Sequence, residues 1–206
     1  MEFVLASQSP ARLMVLRAAG IEPVVHVSGV DEDAITAALP ADAAHEQVVV
    51  TLAEAKARAV ASAHADAVVV GCDSMLSHDG ELVGKPGTPE RARERWKRMA
   101  GGVGRLLTGH AVLRVRDGVV DAVATGTVST TIRFGNPAED EVEAYIETGE
   151  PLSVAGGFTL DGFGGWFVDG VDGDPSSVIG ISLPLTRGLL GEVGVRVVDL
   201  WASRRG

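Results

Sequence analysis

Residues 67–72, Ala-Val-Val-Val-Gly-Cys, constrain the fold most strongly, because every side chain in this stretch is apolar or absent. A strand with one face in water alternates apolar and polar residues, so this run is typical of a strand covered on both faces in an α/β sheet. Asp73 follows the run directly. Ligands of open α/β sheets bind beyond the carboxyl ends of strands, so Asp73 is a candidate site residue, with turn formation or helix capping as its alternative role.

The rest of the chain alternates strands and helices without an internal repeat. The predicted strands lie near residues 3–6, 24–28, 67–72, 105–116, 119–133 and 195–201, and the predicted helices near 10–19, 46–63, 89–100, 138–148 and 183–192. Asp79-Gly80 and Asp117-Gly118 predict hairpin turns, which indicate antiparallel pairing within a mixed sheet. The glycine-rich residues 156–173 fit either a loop that covers a ligand or a hairpin with bulges. We therefore expect an α/β fold, with a mixed twisted sheet and flanking helices, in a single domain over residues 1–206.

The composition sets the class of protein and its environment. With 206 residues, of which 46% are hydrophobic and 22% charged, the chain can bury one core, folded as one or two lobes. No apolar stretch approaches the roughly 20 residues of a membrane span, and no basic segment precedes the apolar residues 3–6. The single cysteine, Cys72, fits a reducing compartment and is expected to be a buried, inert thiol. We therefore expect a cytoplasmic globular protein without a membrane partner.

The net charge of −10 argues against a nucleic-acid partner, because nucleic-acid-binding surfaces carry a basic excess. The richest basic stretch lies on the predicted helix 89–100, where Thr88 is the N-cap and Pro89 the first helical residue. A solvated face accounts for these charges better than a DNA-binding helix does. A phosphate ligand would therefore have to meet positive charge at a local site.

Residues 7–12, Ser-Gln-Ser-Pro-Ala-Arg, predict such a local site. Ser9 suits the N-cap and Pro10 the first position of a helix that follows a short apolar strand. The helix N-terminus then directs backbone N–H groups and the positive end of a dipole toward a ligand. Ser7, Ser9 and Arg12 all donate hydrogen bonds, so an anion fits this site, and an ordinary capped helix with a surface arginine is the alternative.

Three further charged positions stand out. Lys56 falls in the apolar stripe of the predicted helix 46–63, and because an unpaired buried ammonium is costly, we infer a nearby anion, with snorkelling of the lysine as the alternative. Lys85 adds a cation in a segment restricted by Gly84 and Pro86. Glu32 and the preceding aspartate could hold a divalent cation, or could simply be solvated.

Other catalytic patterns are weaker. The five histidines show no zinc spacing, so surface or structural roles are expected for them. Residues 180–184, Gly-Ile-Ser-Leu-Pro, lack the second glycine of a nucleophile elbow. The chain contains no Walker P-loop.

Several motifs together resemble those of Maf proteins, in the same order and over essentially the whole chain. They are Leu-Ala-Ser-Gln-Ser-Pro-Ala-Arg at 5–12, Val-Asp-Glu at 30–32, Ala-Lys-Ala at 55–57, Val-Gly-Cys-Asp-Ser at 70–74, Gly-Lys-Pro at 84–86, Ala-Gly-Gly-Phe at 155–158 and Ser-Val-Ile-Gly-Ile-Ser-Leu-Pro-Leu at 177–185. Maf proteins are nucleoside triphosphate pyrophosphatases linked to septum formation. The resemblance implies a fold like that of inosine triphosphate pyrophosphatases, with two lobes around a nucleotide groove. It also implies hydrolysis of a nucleoside triphosphate to the monophosphate and pyrophosphate with a divalent cation, Mg²⁺ or Mn²⁺, and we consider a homodimer as the assembly.

The resemblance carries the family's functional residues onto positions that the residues alone had already marked. Its phosphate-binding loop falls on Ser7, Ser9 and Arg12, its acidic residue on Glu32, its helix lysine on Lys56, its catalytic aspartate on Asp73 and its lysine before proline on Lys85. Catalysis is thus expected from Asp73, Lys56 and Lys85. Glu32 and Asp73 are expected to share the metal ion, and Asp73 to accept a proton from the attacking water.

Three departures from the family pattern concern affinity and base selectivity. Ala11 stands where the family has the first arginine of a pair, Ser74 follows the aspartate, and Asp161 replaces a glutamine. Because Ser74 keeps the hydroxyl of the branch that prefers dTTP and UTP, we expect a pyrimidine substrate contacted by Ser74 and Asp161. A preference for 7-methyl-GTP is the alternative. Ala11 favours a further alternative, a nucleotide-binding regulator of cell division with little turnover.

Overall fold

The computed structural model describes residues 1–201, and within them a seven-stranded mixed sheet is flanked by helices. The strands are β1 (Glu2–Leu5), β2 (Val24–Val25), β3 (Asp66–His78), β4 (Glu81–Val83), β5 (Val103–Arg116), β6 (Val119–Phe134) and β7 (Val168–Asp172). The helices are α1 (Pro10–Ala18), α2 (Glu32–Ala37), α3 (His45–Ala61), α4 (Pro89–Met99), α5 (Glu139–Glu147), α6 (Pro175–Ile179) and α7 (Leu183–Glu192). Short 3₁₀ helices cover Glu150–Ser153, Ala155–Gly157, Phe163–Phe167 and Val197–Asp199. The strand order is β2-β1-β3-β5-β6-β7, with β4 paired to β3. The predicted mixed α/β fold is therefore confirmed.

The chain divides into two compact units. Unit 1 contains Met1–Asp73, Thr108–Val128 and the chain from Gly180, and unit 2 contains Ser74–Leu107 and Ser129–Ile179. Strands β3, β5 and β6 each begin in one unit and end in the other. The single domain over residues 1–206 remains a prediction.

Unit 1 is organised around β1, which pairs in parallel with β2 and with β3. Residues 67–70 of β3 are fully buried, so the strand is covered on both faces as its uniform apolar character predicts. Helix α3 packs directly on this strand at Gly71, where a Cβ atom would lie 2.1 Å from the Ala53 carbonyl oxygen. Only glycine permits this approach of helix and strand backbones. Lys56, one turn along α3, is brought down onto β3 by the same contact.

Unit 2 has an aromatic core beside the β3–β4 hairpin. The hairpin turns at Asp79 and Gly80, both at positive φ, as the sequence predicts. Helix α4 begins at the predicted Thr88 cap and buries Trp96, whose ring meets three other aromatic rings edge-on. The Trp96 indole N–H donates to the Gly157 carbonyl oxygen at 2.9 Å. Unit 2 thereby fixes the glycine-rich stretch against α4.

The basic residues of α4 are largely held by neighbours within unit 2. Arg93 forms an ion pair with Glu143, and Arg98 forms one with Glu81. Arg95 is partly buried and donates to the Gly84 carbonyl oxygen at 2.6 Å. These three arginines of α4 are therefore engaged by groups of their own unit.

The structure differs from the prediction in four predicted segments, and it adds α2, α6 and β4, which were not predicted. Strand β3 continues to His78, so Asp73 lies inside a long strand instead of after its end, although the ladder with β1 stops at Val70. The predicted strand 24–28 has only two residues. The predicted strand 195–201 is wrong, because its backbone N–H groups bond locally, as in Leu200 N to Val197 O, and form a 3₁₀ turn. The glycine-rich residues 156–173 form 3₁₀ turns and β7, which pairs antiparallel to β6 with a register shift.

No helix in the described part of the chain combines the length and apolar character that a membrane crossing requires. The longest one, α3, has 17 residues and buries a lysine.

Candidate active site

The first part of the site is the N-terminus of α1. Ser9 adopts the extended N-cap conformation and accepts a hydrogen bond from the Arg12 backbone N–H at 3.4 Å, with Pro10 in the first helical turn. The Ser7 hydroxyl oxygen accepts from the Ser9 N–H at 3.2 Å and from Nη1 of Arg12 at 2.9 Å. The capped helix predicted at residues 7–12 is therefore present, and its two serines and arginine form one hydrogen-bonded group.

The Arg12 side chain is held at two points. Its Nε donates to the Gly180 carbonyl oxygen at 2.8 Å, while Nη1 donates to Ser7. Two contacts on different nitrogens fix the plane of a guanidinium group, which carries five donors in a rigid arrangement. Arg12 is therefore oriented before any ligand arrives.

The second part of the site is a buried charged cluster on α3 and β3. Lys56 is only 8% exposed, as its place in the apolar stripe predicts. Its Nζ lies 2.6 Å from Oδ1 of Asp73 and 2.8 Å from Oε1 of Glu32. The anion inferred beside Lys56 is thus a pair of carboxylates, and both are residues that the sequence had marked.

Glu32 reaches the cluster from a helix that the sequence pattern did not predict. Asp31 is the N-cap of α2 and accepts from the Ala34 N–H at 2.9 Å, which makes Glu32 the first helical residue. The Glu32 side chain is 54% exposed, whereas the Asp73 side chain is 9% exposed. The Lys56 ammonium therefore contacts one buried carboxylate, that of Asp73, and one solvent-accessible carboxylate, that of Glu32.

Burial raises the pKa of Asp73 above its usual value, although the nearby positive charges of Lys56 and Arg12 act in the opposite direction. A raised pKa moves a carboxyl group toward the pH at which a general base is most effective. Asp73 therefore has the surroundings of a proton acceptor beside two cations.

The donor set of the cluster suits a hard divalent cation that also binds phosphate. In the described residues, no three side chains of histidine, cysteine, aspartate or glutamate come together as a metal cage. Mg²⁺, however, is commonly held by one or two carboxylates together with substrate phosphate oxygens. Glu32 and Asp73, which contact the same ammonium, fit that requirement.

The other three predicted site residues belong to unit 2. Ser74 is half-buried on β3, directly after Asp73. Lys85 is exposed after β4, in a segment whose Gly84 carbonyl accepts from Arg95 and from the Gly156 N–H. Asp161 is exposed in a bend before the 3₁₀ helix Phe163–Phe167. Their roles in a site with Asp73 remain predictions.

Two residues of unit 1, one that contacts Arg12 and one that contacts the segment after it, were not singled out as site residues from the sequence. Gly180 supplies the carbonyl that holds Arg12, and the fully buried His110 accepts a hydrogen bond from the Ser182 N–H at 2.8 Å. The sequence offers one signal for His110, its place in the apolar part of a predicted strand. The pattern of residues does not identify the group to which a buried histidine is hydrogen-bonded.

Fold and site together define an α/β protein in which a buried lysine contacts two carboxylates and a capped helix N-terminus holds an arginine. The Maf-like protein family model matches residues 2–193. A protein of Saccharopolyspora erythraea is 66% identical over 98% of this chain and 97% of its own length, and one of Nocardia farcinica is 64% identical over 96% and 95%. A third, from Mycolicibacterium gilvum, is 56% identical over 97% of this chain and 98% of its own length. Each of the three is named nucleoside triphosphate pyrophosphatase. The chain belongs to the Maf family.

Proposed function

We propose that this protein hydrolyses a nucleoside triphosphate to the nucleoside monophosphate and pyrophosphate. The observation that carries the proposal is the buried Lys56 ammonium in contact with Asp73 and Glu32, in the same unit as the oriented Arg12. The names of the similar proteins support the same activity. Cations that meet phosphate charge and a carboxylate of raised pKa are the groups that such a hydrolysis requires.

In the proposed reaction, water attacks the α-phosphorus and Asp73 accepts its proton. The bond between the α-phosphorus and the bridging oxygen breaks, and the electron pair leaves with pyrophosphate. Lys56 and Arg12 stabilise the negative charge that develops on the phosphoryl oxygens, because a fixed cation in a buried site needs no reorganisation during the reaction. Glu32 and Asp73 would hold Mg²⁺ or Mn²⁺, which when bound would offset the charge of the leaving pyrophosphate.

The identity of the broken bond is tested by chromatography of the products. Monophosphate and pyrophosphate are expected, whereas diphosphate and orthophosphate would contradict the proposal. Asp73→Asn keeps the shape of the side chain and removes the proton acceptor, so it should lower kcat by about 10²-fold or more. Asp42→Asn, at an exposed aspartate of the same unit, is the matched control and should keep the native rate.

The divalent cation is tested with a chelator and a second matched pair. Chelation should abolish turnover, and added Mg²⁺ or Mn²⁺ should restore it. Glu32→Gln should raise the cation concentration needed for half-maximal activity, while Asp33→Asn, the exposed neighbour on α2, should leave it unchanged. Equal behaviour of the two variants would remove Glu32 from the cation site.

For the base, we propose a pyrimidine preference, with dTTP or UTP leading by kcat/KM. Ser74 keeps the hydroxyl of the family branch to which this preference belongs. Asp161 only accepts hydrogen bonds, whereas the glutamine that it replaces also donates, so discrimination should be weaker than a site with that donor provides. A panel of nucleoside triphosphates tests this order, and a clear lead of 7-methyl-GTP would overturn it without affecting the hydrolysis itself. Tight nucleotide binding without turnover would instead support the alternative function, a nucleotide-binding regulator of cell division.

A further inference from the structure

We propose that His110 is a positioning residue for Arg12 and acts through residues 180–182. The inference rests on the proposed function, in which Arg12 binds substrate phosphate. His110 lies on β5 and is fully buried, and each of its two ring nitrogens has a hydrogen-bond partner. A buried imidazole with both nitrogens engaged points to a specific structural task rather than to volume filling.

The two hydrogen bonds of His110 define its tautomer. Nε2 lies 2.8 Å from the backbone nitrogen of Ser182, and because a backbone N–H can only donate, Nε2 must be the acceptor. The ring proton is then on Nδ1, which donates to the Thr108 carbonyl oxygen at 3.0 Å. His110 is thus a neutral imidazole with a fixed ring plane, anchored to its own strand and holding the N–H of Ser182.

The segment that His110 holds is also fixed at its other groups. The Ser182 hydroxyl oxygen accepts from the Leu185 N–H at 3.1 Å and so caps α7, and the Ile181 side chain is fully buried. Only two residues before Ser182, the Gly180 carbonyl oxygen accepts from Nε of Arg12 at 2.8 Å. The orientation of the guanidinium therefore depends on where His110 places this segment.

Gly180 adds a steric requirement to the same contact. Its φ is +145°, a backbone conformation that side chains rarely adopt, and a Cβ atom would lie 3.1 Å from Cγ of Arg12. The aliphatic part of Arg12 thus packs closely against a residue whose backbone conformation favours glycine. His110 thus acts on Arg12 through hydrogen bonds of the segment 180–182, and Gly180 acts on it by leaving space for its aliphatic part.

A double-mutant cycle separates positioning from general support of the fold. The probe is α,β-methylene-UTP, which binds without being cleaved, and the measurement is its Kd by calorimetry. His110→Leu should raise the Kd about tenfold in the native background and less than about twofold in the Arg12→Ala background, since coupled residues are not additive. Equal weakening in both backgrounds would overturn the proposal.

Two more variants keep the test decisive where His110→Leu does not fold. His110→Gln places an acceptor near the position of Nε2 and should keep the Kd within about threefold of the native value. If His110→Gln raises the Kd as much as His110→Leu does, the hydrogen-bond acceptor at this position does not position Arg12. Gly180→Ala should raise the Kd about tenfold in the native background and leave the Kd unchanged in the Arg12→Ala background. Gly188→Ala, on α7 with open space around its Cβ position, is the control and should bind like the native chain.

A measurement without nucleotide distinguishes failure of this inference from failure of the proposed function. In the ligand-free protein, the Nε–H resonance of Arg12, assigned by its loss in Arg12→Ala, should move in His110→Leu and Gly180→Ala and stay in Gly188→Ala. An unmoved resonance in the first two variants would refute the positioning role, whatever the enzyme does. Absence of turnover with the resonance moved as expected would refute the function and leave the positioning intact.

Discussion

Replacing Gly71 with alanine tests how closely the charged cluster depends on the packing of α3 against β3. A Cβ atom at Gly71 would lie 2.1 Å from the Ala53 carbonyl oxygen and 2.9 Å from the Ala57 nitrogen. Both are backbone atoms of one helix, so no side-chain rotation can relieve the clash. Lys56 lies between these two residues on α3, and Asp73 lies two positions after Gly71 on β3. Any retreat of the helix must therefore lengthen the Lys56–Asp73 contact.

The size of the retreat follows from the contact distance. Ordinary van der Waals separation is about 3.5 Å, so α3 must move by roughly 1.4 Å or the strand must buckle by a similar amount. Overpacking of this kind costs about 1–3 kcal/mol, which for a chain of this size corresponds to a fall of about 2–12 °C in Tm. A displacement of about 1 Å at a catalytic group can reduce turnover by about 10²-fold. The expected result is therefore a modest loss of stability with a large loss of kcat.

The assay compares thermal unfolding and kcat of Gly71→Ala with those of the native chain at a temperature where both are folded. Gly191→Ala, a glycine of α7 with no atom near its Cβ position, is the control and should keep both properties. Native kcat in a folded Gly71→Ala variant would refute the reasoning, because the cluster would then not depend on this helix–strand contact. Loss of stability alone would show that the strand bends and the helix stays.

Three other outcomes follow from the buried charges and the thiol. Lys56→Met leaves the Asp73 carboxylate without its ammonium partner, and urea unfolding should show a loss of about 3 kcal/mol; no loss would mean that Asp73 takes up a proton instead. Because burial raises the pKa of Asp73, its ionisation destabilises the folded state; this cost is absent below the unfolded pKa and complete above the folded one. The Tm of Asp73→Asn relative to the native chain should thus rise as the pH increases from about 4, the ordinary aspartate pKa, through the raised folded pKa, and a flat difference would contradict this sign. Burial also raises the pKa of Cys72 to about 11, so a thiol reagent at about pH 8 should react only after unfolding, and rapid labelling of the folded chain would show that β3 opens.

The charged cluster could be predicted in its members but not in its geometry. The apolar stripe placed Lys56 inside the protein and required an anion beside it, and the structure supplies Asp73 and Glu32. Periodicity is a local property, so it identifies a buried lysine without identifying its partners, which are 17 and 24 positions away. The link from Arg12 to Gly180 spans 168 positions, and no local pattern reports such a contact.

Long, periodic elements were predicted well and short ones were not. Helices α1, α3, α4, α5 and α7 fall where the spacing placed them, because each carries a full apolar stripe or a clear cap. Helix α2 has six residues and no buried side chain, so its sequence carries no periodic signal. The valines at 197 and 198 suggested a strand, but Gly194 ends α7 at positive φ and the chain turns locally.

The division of unit 1 into separate stretches also orders events during translation. Arg12 and Gly180 are 168 positions apart, so synthesis at about 5–20 residues per second separates them by about 10 to 30 s. All of unit 2 is made within that interval. A ribosome halted before residue 180 would therefore carry a nascent chain that already contains Ser7, Ser9 and Arg12. The Gly180 carbonyl group, which orients Arg12, would not yet have been synthesised.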